Sequence, residues 1–292
     1  MEKKGWVSAI IPTRNAAGIL EACLKSIRMQ SYPNVEMIIA DNYSKDKTRE
    51  IGREYGAKVI LCGPRPPYND FFTAPVQRRI GALHATGDLL FFIDADMTLK
   101  PRLIEGCVEK FSEGADAIAI PEVSFGEGFW SDCRVVERRC YFEPQFSDWT
   151  IQACRVFKRS VYESVGGWSE GVFDDWDITA KLQNHGFRIA RSSNYIFHNE
   201  GRLTLRKIIR HWYEMGKGTY LLKYLSSSHK SLTTISNQLT PLRIITLALR
   251  LPKVTARIPL IFGVIFLKTV QGVAFAIGLI VERLTTFYPR RR

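Results

Sequence analysis

The chain has 292 residues, with 41 Lys plus Arg against 29 Asp plus Glu, a net charge of +12. Its hydrophobic content of 46% is enough to bury a core and excludes a disordered chain. The basic surplus sits in the last third: residues 202–292 carry +14, with Glu214 and Glu282 as the two acids, while residues 1–201 carry −2, which argues against a nucleic-acid-binding domain.

The first half alternates short apolar runs with helical patterns. Trp6–Pro12 reads as a buried strand, and no apolar run of signal-peptide length precedes it. Residues 16–29 have helical spacing through Ile19, Leu20, Cys23, Leu24 and Ile27. Strand 35–40, a polar helix over 46–55 and strand 57–62 follow. After a Pro-rich loop come helix 76–85, strand 88–93, helix 101–112 and strand 115–120. This cadence predicts an α/β fold with a mostly parallel sheet and helices on both faces. Such sheets bind ligands beyond the carboxyl ends of their strands.

Residues 128–142 read as an amphipathic helix and 151–157 as a short apolar stretch. Gly166-Gly167-Trp168 reads as a turn, and 175–185 as a helix. Residues 203–225 form a basic helix or helix pair, closed by Ser226-Ser227-Ser228. Residues 258–281 are apolar except for Lys268, Thr269 and Gln271. As a helix this run would be about 36 Å long, against a hydrocarbon core of about 30 Å. Lys268 near its middle costs about 3 kcal/mol in lipid, which the apolar residues around it outweigh. The segment 241–251 is too short to span and reads as interfacial. The six cysteines lack zinc or redox spacing and read as reduced, mostly buried thiols of a cytoplasm-facing protein. The division expected is therefore 1–201 catalytic, 202–257 interfacial, and 258–292 membrane segment with a basic end.

Three strand ends carry polar residues. The first strand ends in Pro12-Thr13-Arg14-Asn15, the second in Asp41-Asn42-Tyr43-Ser44, and strand 88–93 in Asp94-Ala95-Asp96. Two carboxylates at i and i+2 beyond a strand can hold a divalent cation that bridges diphosphate oxygens. A carboxylate beyond the second strand can accept from a ribose or base N–H. Asp174-Asp175-Trp176-Asp177 opens a helix, where acids are favoured by the dipole, but three acids in four residues exceed the needs of capping. His198 closes a strand-like run, Tyr195-Ile196-Phe197, and on its own reads more readily as structural than as a ligand.

Taken together, IIPTRN, ADNYSKDKT, QRRIGALHATGDLLFFIDADM, GGWSEGVFDDWDI and Phe197-His198 resemble family 2 glycosyltransferases of the GT-A fold, in the expected order over residues 6–200. Three positions depart from the family pattern: Asp41-Asn42 replaces a paired Asp, Gln77-Arg78-Arg79 replaces Ala-Arg-Asn, and Asp174-Asp175 replaces Glu-Asp. The resemblance implies a donor site built from Pro12, Arg14, Asp41, Arg78, Asp94, Gly166 and Gly167, with Asp41 on the nucleoside. It implies a divalent metal, Mn2+ or Mg2+, held by Asp96 and His198 with Asp94, and Asp175 as the catalytic base. Arg78 would help the metal stabilise the departing diphosphate. Asp174, Trp176, Arg206, Arg210 and Trp212 would lie toward the acceptor, the last three by a loose likeness to the QxxRW motif of cellulose-synthase-like members.

The function expected is an inverting hexose transfer to a lipid-linked saccharide at a membrane, with the catalytic domain facing the cytoplasm. GDP-mannose is the first choice of donor and a UDP-sugar the second. A polyprenyl phosphate acceptor is the alternative, and a nucleotidyltransferase or a non-catalytic scaffold are the readings from other classes. A single span would put Arg290-Arg291-Arg292 outside, against the positive-inside rule, unless the segment turns back near Lys268 and Gln271.

Overall fold

The structure is a computed structural model, and it describes residues 3–62, 74–142, 153–169, 174–225 and 241–287. The Pro-rich loop, the serine break and Arg290-Arg291-Arg292 lie outside the described residues. The chain divides into two compact units, residues 1–123 with 148–199, and residues 124–147 with 200–292.

The first unit is built on a seven-stranded sheet. In chain order its elements are β1 (Lys3–Thr13), α1 (Leu20–Arg28), β2 (Val35–Asp41), α2 (Thr48–Glu54), β3 (Lys58–Leu61), α3 (Ala74–Leu83), β4 (Gly87–Phe92), β5 (Met97–Leu99), α4 (Leu103–Ser112), β6 (Ala117–Ala119) and β7 (Glu122–Phe125), which runs to the unit's edge. In the second unit comes α5 (Phe129–Phe142). Back in the first are β8 (Cys154–Lys158), α6 (Arg159–Ser164), α7 (Asp174–Asn184), β9 (Ile189–Arg191) and β10 (Ile196–Asn199). The second unit continues with α8 (Leu205–Leu225), α9 (Pro241–Val254) and α10 (Ile258–Phe287).

The large sheet has the order β3-β2-β1-β4-β8-β6-β9. All pairings in it are parallel except the two made by β8. The central strands β1 and β4 are mainly apolar on both sides, because both faces of the sheet are covered there. In β1, Val7, Ala9 and Ile11 enter one core with α1 and α4, while Ile10 enters the other. In β4, Leu89 and Phe91 join the first core, and Leu90 and Phe92 the second, with Val161, Tyr162, Trp168, Ile178 and Leu182. The mainly parallel α/β reading is thus what the chain adopts.

Some elements differ from expectation. The apolar stretch 151–157 becomes β8, and it runs against its neighbours. Nothing in an apolar run records direction, since a strand buried on both faces looks the same either way. The three-residue strands β5 and β9 are too short to leave a periodic signal. The order β5-β10-β7 forms a second, three-stranded sheet. Its pairing His198↔Met97 brings a histidine beside a segment 101 residues earlier in the chain. The basic stretch 203–225 is one helix, α8.

In the second unit, α5, α8, α9 and α10 share a core of Cys133, Val136, Cys140, Ile208, Leu247, Leu251, Leu260 and Val264, among others. Helices α8 and α10 meet at glycines. A Cβ on Gly216 would lie 2.1 Å from the Phe275 carbonyl oxygen, and one on Gly278 would lie 2.1 Å from that of Tyr213. All six cysteines are free and buried, as the spacing implied.

Candidate functional site

The carboxyl ends of β1, β2 and β4 form one rim, and the polar residues beyond them are tied to each other. Asp41 is fully buried. Its oxygens accept from the Thr13 hydroxyl at 3.1 Å, the Ser44 hydroxyl at 2.5 Å and the Ser44 N–H at 2.9 Å. In this arrangement both carboxylate oxygens of Asp41 brace the loop beyond β2. What that loop turns outward is Tyr43, exposed and at a φ of 49°, a conformation that a bulky residue adopts only when its surroundings hold it there. Asn15, at φ 50°, accepts from the Lys45 N–H and donates its own N–H to Ser44, which stitches the two loops together. Pro12 is half-buried at the end of β1, and Arg14 is exposed just beyond it. Gln77 donates to the carbonyls of Thr13 and Ala40, which fixes α3 to both strand ends.

Beyond β4 lies a chain of alternating charges. Arg78, on α3, donates to Asp94 Oδ1 at 2.7 Å and lies 4.9 Å over the Trp168 ring. Arg155, on β8, reaches Asp94 Oδ2 at 3.4 Å and Glu122 Oε1 at 2.6 Å. Glu122 Oε2 lies 3.0 Å from His198 Nδ1, and His198 Nε2 lies 3.5 Å from Asp96 Oδ2. Burial alone would raise the Asp94 carboxyl, but Arg78 and then Arg155 hold it well below the ordinary range. Asp94 is therefore an ionised carboxylate with both oxygens engaged. Arg78 is itself buried, paired with Asp94 and seated over the Trp168 ring.

Asp96 differs from Asp94. Its Oδ1 is buried and has no hydrogen-bond partner. An orphaned carboxylate oxygen is costly unless something else satisfies it. His198 turns Nδ1 to Glu122 and Nε2 to the Asp96 side. One oxygen and one imidazole nitrogen fit a divalent cation that takes its remaining ligands from a bound diphosphate. Among the described residues no cluster of three His, Cys, Asp or Glu closes a metal site from protein alone.

Gly166 and Gly167 end α6 at φ 75° and 63°, donating to the carbonyls of Glu163 and Tyr162. A Cβ on Gly167 would sit 2.7 Å from the Tyr162 ring, so this turn admits only glycine. It delivers Trp168 beneath Arg78. Asp175, in the first turn of α7, has Oδ1 buried and without a hydrogen-bond partner. The side chains of Asp174 and Trp176 lie outside the described residues.

Arg206, Arg210 and Trp212 belong to α8 in the second unit. Arg206 and Arg210 line an open groove of about 700 Å³ with Ile209, Tyr213, Glu214, Ala274 and Ile277. Trp212 packs inward, 6.4 Å from the Phe275 ring, which is a packing role.

Sequence reasoning missed Arg155 and Glu122. Both left a trace. Arg155 is a lone charge inside an apolar stretch, and Glu122 follows a predicted strand end as Asp94 does.

Residues 8–166 match the family described as Glycosyl transferase family 2. The 4,4'-diaponeurosporenoate glycosyltransferase of Staphylococcus haemolyticus is 36% identical over 36% of this chain and 28% of its own length. Succinoglycan biosynthesis protein ExoA of Rhizobium meliloti is 25% identical over 62% of this chain and 58% of its own. The chain thus spans from about a quarter to under two thirds of these relatives. Among solved structures, mannosyltransferase PcManGT from Pyrobaculum calidifontis, in complex with GDP-Man and Mn2+, superposes with a TM-score of 0.55 at 18% identity, covering 98% of this chain and 88% of that one. S. aureus TarS 1–349 gives 0.51 at 14%, covering 98% and 93%. These likenesses carry the fold, which is GT-A-like. With the family pattern matched over more than half of the chain, and its strand-end acids gathered on one rim, the protein belongs to glycosyl transferase family 2.

Proposed function

We propose that the protein is a metal-dependent, inverting glycosyltransferase that moves a hexose from a nucleotide sugar to a lipid-linked saccharide at a membrane surface. The observation that carries this reading is the pairing of a saturated carboxylate with an unsaturated one: Asp94 has both oxygens engaged, and Asp96 keeps one buried oxygen without a partner.

Asp96 and His198 would hold a divalent cation, with Asp94 fixed beside them. Bound there, it would neutralise the charge that develops on the departing nucleoside diphosphate. The loops after β1 and β2, braced by Asp41, Ser44 and Asn15, would receive the nucleoside; Pro12 and Arg14 are the nearby donor-side groups. Gly166 and Gly167 shape the turn beneath the donor. Asp175 would take the proton of the attacking hydroxyl, and its unpartnered Oδ1 suits that task. Glu122 would orient His198, as carboxylates do behind metal-ligating imidazoles. Asp174, Trp176, Arg206 and Arg210 would serve the acceptor; the basic and apolar lining of the α8–α10 groove suits a phosphorylated amphiphile.

A hydroxyl acceptor needs a base, whereas a polyprenyl phosphate is already ionised and does not. The built position of Asp175 therefore favours a lipid-linked saccharide. GDP-mannose is the donor to test first, supported by the mannosyltransferase neighbour with GDP-Man and Mn2+, and a UDP-sugar second. Membrane association rests on α10, whose residues Ile258–Thr285 are long and apolar enough to cross a bilayer. The expected division, with the catalytic part in 1–201, an interfacial part in 202–257 and a membrane segment after it, goes with this reading.

The test is a screen of nucleotide sugars against a membrane lipid extract with Mn2+ or Mg2+, read by mass spectrometry. The expected product is a lipid-linked glycan heavier by one hexose. A product on polyprenyl phosphate that survives Asp175→Asn would shift the reading to the simpler acceptor. No glycosylated product from any donor would overturn it.

A further inference from the structure

Helix α10 has two faces of different character. Its outward face carries Phe262, Phe266, Val273, Ile277, Ile280 and Leu284, all between 48% and 68% exposed. Its inward face is packed and in part polar. Lys268, near the middle, forms an ion pair with Glu137 of α5, whose side chain is 3% exposed and also paired with Arg134 at 2.9 Å. The Lys268 ammonium lies 5.8 Å from the rings of both Tyr141 and Trp212. Further along, Glu282 lies 3.9 Å from Lys217 of α8. Burial alone would raise the Glu137 carboxyl, yet Lys268 and then Arg134 hold it down to about 2, so the pair is ionised at neutral pH.

A helix crossing a bilayer alone would meet lipid all round. This one has α5 and α8 fastened to its inward side by charge pairs and glycine contacts. Those two helices expose Arg139, Arg206, Lys207 and Arg210 to solvent. If α10 stood across the membrane, its partners would carry these cations into hydrocarbon, where charged groups on a helix strongly oppose insertion. Ile277 borders the groove that holds Arg206 and Arg210, and the outward face is free of that conflict along Phe262, Phe266 and Val273. At its ends stand exposed Arg257 and Arg283, and Lys253 lies close before it, while the one acid of the described α9–α10 stretch, Glu282, is the residue paired with Lys217. An apolar stripe with cations at its ends matches the surface of an anionic leaflet.

We infer that α10 lies in the plane of one anionic membrane leaflet, its outward face in the acyl boundary and α5 and α8 on the aqueous side, and that it does not cross. This rests on the membrane reading above and names the kind of membrane partner. It also removes the conflict with the positive-inside rule, because both ends of α10 stay on one side.

The six native cysteines are buried, so single introduced cysteines report with little background. Ala256→Cys and Thr285→Cys flank the apolar span, Lys207→Cys marks α8, and Val273→Cys marks the outward face. Full-length protein in inverted membrane vesicles is treated with a membrane-impermeant maleimide. The expected result is labelling of positions 256, 285 and 207 from the same side, with position 273 blocked until detergent is added. Labelling of 256 and 285 from opposite sides would overturn the in-plane seating and leave membrane association standing. Equal labelling of 273 with and without detergent would overturn it too. Protein found only in the soluble fraction would overturn the membrane reading and this inference with it.

Discussion

At the scale of single residues, the site separates three carboxylates by what surrounds them. Asp94 is saturated by two arginines, Asp96 keeps an orphaned oxygen beside His198, and Glu122 stands behind that histidine. Glu122→Gln keeps the shape but removes the charge that fixes the imidazole. The expected outcome is a Mn2+ affinity lowered by about 10–100-fold, the usual cost of losing an outer-shell partner, read by electron paramagnetic resonance titration without donor. An unchanged Mn2+ affinity would leave Glu122 as a structural partner of Arg155. Asp175→Asn should abolish transfer to a saccharide hydroxyl yet keep donor binding, measured by product formation and by calorimetry on the same preparation. Unchanged turnover would remove Asp175 from the base role. Asp94 and Asp96 stood out because they follow an apolar strand, whereas His198 read as structural on its own and was singled out through the family resemblance. Arg155 and Glu122 were not singled out, because their meaning depends on β8 lying reversed beside β4, and on β7 and β10 sharing a sheet. The buried role of Asp41 was equally hidden: a strand-end acid looks the same in sequence whether it faces a ligand or its own loop.

At the scale of elements, the α8–α10 contact reverses an ordinary rule. Gly→Ala within a helix normally gains about 1 kcal/mol from propensity. At Gly278 the added carbon would fall 2.1 Å from a backbone oxygen that no rotamer change can move. Overpacking of this kind costs about 1–3 kcal/mol, so Gly278→Ala should lower the unfolding midpoint, as seen by thermal denaturation in detergent. The Lys268–Glu137 pair gives a second test. Glu137→Gln takes the buried carboxylate from both Lys268 and Arg134, whose side chains are 23% and 26% exposed, and should lower the unfolding midpoint, whereas Lys268→Met, which leaves Arg134 on Glu137, should lower it less. The pH dependence follows from the sign. The folded carboxyl of Glu137 lies at about 2, below its ordinary 4.5, so its stabilisation is present above 4.5 and fades as pH falls from 4.5 toward 2. Wild-type protein should lose stability across that window more steeply than Glu137→Gln. The apolar length of α10 was plain in the sequence. Its two faces were not, since hydropathy counts residues without knowing that α5 and α8 supply a charged partner for Lys268.

At the scale of the whole molecule, the uneven charge that marks the sequence corresponds to two kinds of chemistry. The nearly neutral residues 1–201 hold the carboxylates of the rim, and residues 202–292, with a charge of +14, include α10, the helix proposed to meet anionic lipid. The parallel core was legible because strands buried on both faces read as unbroken apolar runs, as β1 and β4 do. Its division into two units was not, because α5 joins α8, α9 and α10 from a distant place in the chain. The central claim is that the rim takes a nucleoside diphosphate through a cation at Asp96. The most direct measurement is the thermal stability of the full chain with GDP or UDP, with and without Mn2+. At a hundredfold excess over the dissociation constant, binding should add about 2.7 kcal/mol. The account predicts stabilisation by at least one nucleoside diphosphate that requires Mn2+ and vanishes in Asp96→Ala. No shift with either nucleotide, or a full shift retained in Asp96→Ala, would contradict it.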